Sequence, residues 1–209
     1  MHRSLLLLAG LALVACQNTT TSSTTAEELA VIDAVATTTS PDRPGFQWAS
    51  DEDGRLWVWA ADEPAVFSEK HITLIGAAPG GQTLKCLDRD TAMAFLATKA
   101  GFRAELHDGR VYVWPAGTEG EMPEKHVTFI AQGALGATVK ATDREVGVAY
   151  LTQASGYRTE IHDGRIHVWA AGTEGEMPEK HVTRVGGGPL RMTVKATDTE
   201  VLEGYLAAL

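Results

Sequence analysis

The chain has 209 residues with 27 acidic against 18 basic side chains, a formal charge of −9. Such a balance disfavours the phosphate neutralisation on which nucleic-acid binding rests, and also electrostatic docking of the whole chain to anionic lipid. Two cysteines exclude a disulfide-rich scaffold.

The first segment, MHRSLLLLAGLALVAC, has a basic start (His2, Arg3) and an apolar run from Leu5 to Val14. That run is too short to span a bilayer and reads as an export signal. Its end, Leu13-Val14-Ala15-Cys16, resembles the lipobox of bacterial lipoproteins, in which small or aliphatic residues precede a cysteine. The resemblance covers the leader alone. It implies a signal peptide over 1–15, cut before Cys16, and a Cys16 that carries acyl chains such as palmitate as a membrane anchor. Gln17, where an Asp would favour inner-membrane retention, points to the outer membrane. Cys86 is then left without a thiol partner and is expected to be a small buried hydrophobe.

Residues 16–44 are rich in Thr, Ser and Pro around a centre AEELAVIDAVA. The flanks bury too little apolar surface to order themselves. Thr25 and Glu28 have capping-box spacing, so a short helix over the centre is expected. The segment reads as a tether.

From Phe46 onward one period governs the chain. DGR recurs at 53, 108 and 163, EKH at 69, 124 and 179, and aspartate at 88, 143 and 198, always 55 residues apart. The spacing gives three copies, 45–100, 101–155 and 156–209. A unit this small buries only about 60% of its unfolded surface, so packing of copy on copy is expected, with three separate domains as the alternative.

In the second copy Phe102, Ala104 and Leu106 alternate with Arg103 and Glu105, and Val111 and Val113 with Tyr112 and Trp114. A two-residue turn at Asp108-Gly109 pairs Leu106 with Val111, Glu105 with Tyr112 and Arg103 with Trp114. One hairpin face is then apolar and the other polar and aromatic. The third copy repeats this, with Arg158 opposite Trp169 and Glu160 opposite His167. In the first copy an extra residue is absorbed by a turn over Glu52-Asp53-Gly54, so that Gln47 opposes Trp59 and Trp48 opposes Val58. HVTFI and TVKA predict two further strands around a glycine-rich connection. Thr142 to Glu145, like Thr197 to Glu200, predicts a helix start with Val146, Ala149 and Tyr150 inward. The fold class is α+β: each copy has about four short antiparallel strands and a helix.

AGTEGEMPEKHVT occurs without substitution at 116–128 and 171–183, whereas the copies otherwise agree at about half of their positions. Recent duplication explains such a patch, and so does a connector of strict geometry punctuated by Gly117, Gly120 and Pro123. A third reading makes Glu119, Glu121 and Glu124 calcium ligands, without EF-hand spacing to support it. His71, His126 and His181 recur in every copy, either bonded to their adjacent loops or meeting to hold a transition metal. Glu160, His162 and His167 form a two-histidine, one-carboxylate set on one hairpin, with Arg165 opposite His162 counting against it. GGGPLRMT links two strands rather than feeding a helix, so a phosphate loop is not expected.

Trp59, Trp114 and Trp169 share one register, with Arg103 and Arg158 opposite two of them and Glu105, Tyr112 and Glu160 beside them. Aromatic residues with arginine are the common anchors of interfaces, so this face suits an envelope glycan or a protein partner. Packing against the next copy is the alternative. The reading is a lipid-anchored envelope repeat protein, a non-catalytic binding or structural module with no nucleic acid and no membrane contact beyond the anchor. The competing class is an envelope hydrolase or metal-dependent enzyme using the repeat histidines.

Overall fold

The structure is a computed structural model that describes residues 43–209. The leader, lipobox and most of the tether lie outside the described residues, as does the helix expected after Thr25. Among the described residues no helix is long and apolar enough to cross a membrane.

Three similar four-stranded sheets follow one another, each succeeded by a helix. The first holds β1 (Phe46–Ser50), β2 (Leu56–Ala60), β3 (Ile72–Leu74) and β4 (Leu84–Cys86), then α1 (Arg89–Ala97). The second holds β5 (Phe102–His107), β6 (Arg110–Pro115), β7 (Val127–Phe129) and β8 (Thr138–Ala141), then α2 (Arg144–Thr152). The third holds β9 (Tyr157–His162), β10 (Arg165–Ala170), β11 (Val182–Arg184) and β12 (Thr193–Ala196), then α3 (Thr199–Ala208).

Hairpin registers follow the side-chain alternation. Arg103 lies opposite Trp114, Glu105 opposite Tyr112, Arg158 opposite Trp169 and Glu160 opposite His167. Gln47 opposes Trp59 and Trp48 opposes Val58, so the longer first turn keeps the faces. Asp108 and Gly109 both take positive φ (49° and 69°), which a two-residue turn demands.

The sheets are mixed, which corrects the expectation of wholly antiparallel strands. Each has the order first, second, fourth, third strand, and the second and fourth run parallel. The reason is a crossover: the segment after β6 passes over to the far edge to begin β7, and β8 returns into the gap. The helix start is also corrected. Asp88, Asp143 and Asp198, rather than the threonines, are the N-caps, and their carboxylates accept from the backbone N–H of Thr91, Val146 and Val201. The buried residues of α2 are Gly147, Tyr150, Leu151 and Thr152, so Tyr150 is inward as expected while Val146 and Ala149 are only half-buried. A Cβ at Gly147 would stand 2.1 Å from the Phe129 ring, so only glycine lets the helix lie on the sheet.

Valines of the inner strands form the core: Val58, Val111, Val113, Val139, Val168 and Val194 are wholly buried. Cys86 is a buried free thiol, pushed up to about 11 by burial and the nearby Asp88 charge. Its counterparts one and two periods on are Ala141 and Ala196, both buried, as a small-hydrophobe role requires.

The copies pack on one another within a single compact unit. The Tyr150 hydroxyl donates to the Ala97 carbonyl at 2.8 Å, and Tyr205 donates to Thr152 at 2.7 Å, each reaching back one copy. The Lys99 ammonium donates to the carbonyls of Tyr150 and Gln153 at 3.0 and 2.7 Å, capping the end of α2. Burial, with the charge of Arg43, lowers that amine to about 8. Leu135 packs on the core of the first copy and Leu190 on that of the second. The turn Pro79–Gly81 meets α3, so the third copy touches the first and the sequence of contacts closes.

Candidate functional site

The polar-aromatic faces of the hairpins are the natural place to look for recognition. Their tryptophans are not a platform. Trp59, Trp114 and Trp169 are only 3, 2 and 2% exposed, and each is enclosed within its own copy. The Arg103 guanidinium stacks 3.9 Å from the centre of the Trp114 ring and donates to the carbonyls of Thr118 and Gly120 at 2.5 and 2.6 Å. Arg158 stacks 4.0 Å over Trp169 and donates to Gly175 at 2.7 Å. In the first copy Gln47 replaces the arginine and donates to Glu63 and Ala60, while the Trp59 indole N–H donates to Val66. The crossover segment is therefore clamped onto the indole beneath it. This geometry constrains the first part of AGTEGEMPEKHVT: Gly117 and Gly120 take φ of 76° and 94°, and Arg103 donates to carbonyls on either side of Glu119, while duplication remains the reading for the rest.

The glutamates of that segment contribute nothing to the clamp. Glu119, Glu121 and Glu124 are exposed, as are Glu174, Glu176 and Glu179. The indole N–H groups of Trp114 and Trp169 are buried without a partner, unlike that of Trp59, in the two copies that share the segment.

Each repeat histidine serves its own loop. His126 Nδ1 donates to the Pro123 carbonyl and His181 Nδ1 to Pro178, both at 3.1 Å, and His71 Nδ1 to Ser68 at 2.7 Å. The set on the third hairpin is a cluster of another kind. His162 Nε2 lies 3.0 Å from Glu160 Oε2, and the His162 and His167 rings are 5.2 Å apart. The hydrogen bond from His162, with Arg158 nearby, lowers the Glu160 carboxyl. Burial and the neighbouring His162 and Lys195 lower His167. Among the described residues no group of three or more His, Cys, Asp or Glu side chains stands so as to hold a metal ion, and His71, His126 and His181 each face their own loop.

In the second and third copies a cross-strand row stays partly accessible beside the clamped segment, while in the first its ring, Trp57, is buried. Glu105, Tyr112, Lys140 and Thr128 stand side by side over four strands, as do Glu160, His167, Lys195 and Thr183. The first copy has Trp57, Lys85 and Thr73 in the same places. Lys140 lies 5.1 Å over the Tyr112 ring and Lys85 4.7 Å over Trp57. Sequence reasoning passed over these lysines, although Lys85, Lys140 and Lys195 recur at the 55-residue period. The row combines an acceptor, a flat ring, a cation and a hydroxyl, the set that binds polyhydroxylated or peptide groups. No family model, curated protein or solved structure matches this chain.

Proposed function

We propose that this chain is a lipid-anchored cell-envelope repeat protein, held by Cys16 and acting as a non-catalytic binding module. The observation that carries the reading is repetition: the second and third sheets each present a row of glutamate, ring, lysine and threonine beside a rigidly clamped segment, whereas in the first sheet the ring, Trp57, is buried. Two such surfaces in one chain favour multivalent recognition, where modest sites combine, over a single differentiated catalytic centre. The ligand class is an envelope glycan or a protein partner. Glu105, Tyr112 and Glu160 supply contacts, while Arg103, Arg158, Trp59, Trp114 and Trp169 hold the neighbouring segments in place.

Two measurements test this. Cys16→Ser should release the protein from the detergent phase or leave it uncleaved, and unchanged partition with normal processing would refute the anchor. Tyr112→Ala combined with His167→Ala should weaken retention on isolated envelope polysaccharide or on envelope protein, with thermal stability preserved. Retention unchanged in that variant would remove the row from the proposal. Stoichiometric zinc, copper or iron that disappears in His126→Ala or His162→Ala would favour the enzyme reading instead.

A further inference from the structure

Among the described residues the three most exposed large apolar side chains are Ile75, Ile130 and Val185, at 88, 76 and 84%. They are one period apart. The others, Phe67, Leu87, Ile161 and Leu209, lie between 40 and 47% and do not recur in this way. Each of the three immediately follows the third strand of its sheet, at the second place of a tight turn. The next residue takes positive φ, at Gly76 (68°), Ala131 (55°) and Gly186 (65°). That third place constrains the residue type, whereas the second place accepts most residues, so turn chemistry does not call for an aliphatic there. Burial in the fold does not call for it either.

These turns ring one cavity. Gly76, Gln132 and Gly187 line the same space of about 960 Å³, and so does Arg43, the first described residue. Residues 17–42 therefore join Cys16 to the domain at this cavity. Arg43, Lys99 and Arg184 line the cavity, with no aspartate or glutamate among the lining residues; Lys99 is turned onto the carbonyls of Tyr150 and Gln153 and Arg184 is paired with Glu203, so Arg43 supplies most of the cationic character. The first-turn acids Asp90, Glu145 and Glu200 sit at the opposite helix ends, roughly 13 Å away at 1.5 Å per residue. That is beyond a physiological screening length of about 8 Å, so these three acids are largely screened from a surface approaching the cavity, and Glu203 is offset by Arg184.

We propose that the rim bearing Ile75, Ile130 and Val185 is a membrane-contacting face, whose aliphatic side chains enter the headgroup–acyl boundary of the bilayer that anchors the chain. The inference rests on lipid anchoring through Cys16 and adds a second contact to it. Exposed aliphatics flanked by cations are the usual chemistry of interfacial binding.

The test uses the full-length lipoprotein in vesicles of phosphatidylcholine, with and without phosphatidylglycerol. Ile75→Cys, Ile130→Cys and Val185→Cys are labelled singly with an environment-sensitive nitrobenzoxadiazole dye, with Glu119→Cys as control; buried Cys86 stays unlabelled. Emission from the three rim positions should shift to the blue and resist iodide quenching, more so with the anionic lipid, while the control remains water-like. Water-like emission at all three positions, with the protein still vesicle-bound, would overturn the proposal and leave the anchor intact. Protein that does not bind vesicles would overturn both. A blue shift that needs no vesicles and grows with protein concentration would show a second copy covering the rim, and would also overturn it.

Discussion

Arg103→Ala is the most direct test of why the crossover segment is fixed. The side chain is 28% exposed, stacks 3.9 Å from the Trp114 ring and donates to two carbonyls of the segment. Hydrogen bonds from a charged group contribute about 1.5 kcal/mol each at the low end, and an arginine stack about 0.5–1 kcal/mol. Discounting for partial exposure and non-additivity gives a loss of about 2–3 kcal/mol. In a unit of this size that lowers Tm by about 4–12 °C. Hydrogen exchange should localise the change, with the amides of 116–121 losing protection and Trp114 emission moving to the red. Arg103→Lys keeps the charge but not the two-pronged fork, so it should fall between. Arg158→Ala acts in another copy and should add to Arg103→Ala nearly independently. A destabilisation below about 0.5 kcal/mol with unchanged amide protection would refute the clamp, since surface substitutions without such a role lie in that range.

Val113 is wholly buried and Tyr112 half-buried on the opposite face, so Val113→Asp should cost more than about 4 kcal/mol and Tyr112→Asp far less, as read by urea titration. Tyr150→Phe removes the buried bond to Ala97 and should cost about 1–2 kcal/mol, as Tyr205→Phe should at Thr152; both would register as lower urea midpoints. Cys86 has its thiol raised from 9.0 to about 11, so the native state holds the proton longer than the unfolded chain. Its contribution is complete below pH 9 and is lost as pH rises through 11. Cys86→Ala, matching Ala141 and Ala196, should therefore flatten the alkaline fall in stability, and an unchanged slope would place the titration elsewhere.

The hairpin registers were legible in the residues themselves. Period-2 alternation and a DG pair specify which side chains oppose one another, because both effects are local. The period of 55 is likewise a property of the string, and with it the α+β character of each unit. Strand order was not legible: Val127 to Phe129 carry no mark of whether they pair with Tyr112 or lie one strand further out. That choice depends on a crossover whose stability comes from Arg103 and Trp114, residues brought to it only by folding. Threonine and aspartate both suit an N-cap, and only backbone direction selects Asp143 over Thr142. The binding surface moved for a similar reason. Tryptophan in a polar register invites a recognition reading, but burial is decided by what lies above a residue, here a loop from the same copy. Lysines at 85, 140 and 195 were visible as a repeat yet meaningless until parallel pairing set each beside a ring. Exposure of Ile75, Ile130 and Val185 around one cavity is the clearest case. Sequence marks them as apolar, and their exposure is set by the turn that follows the third strand of each sheet.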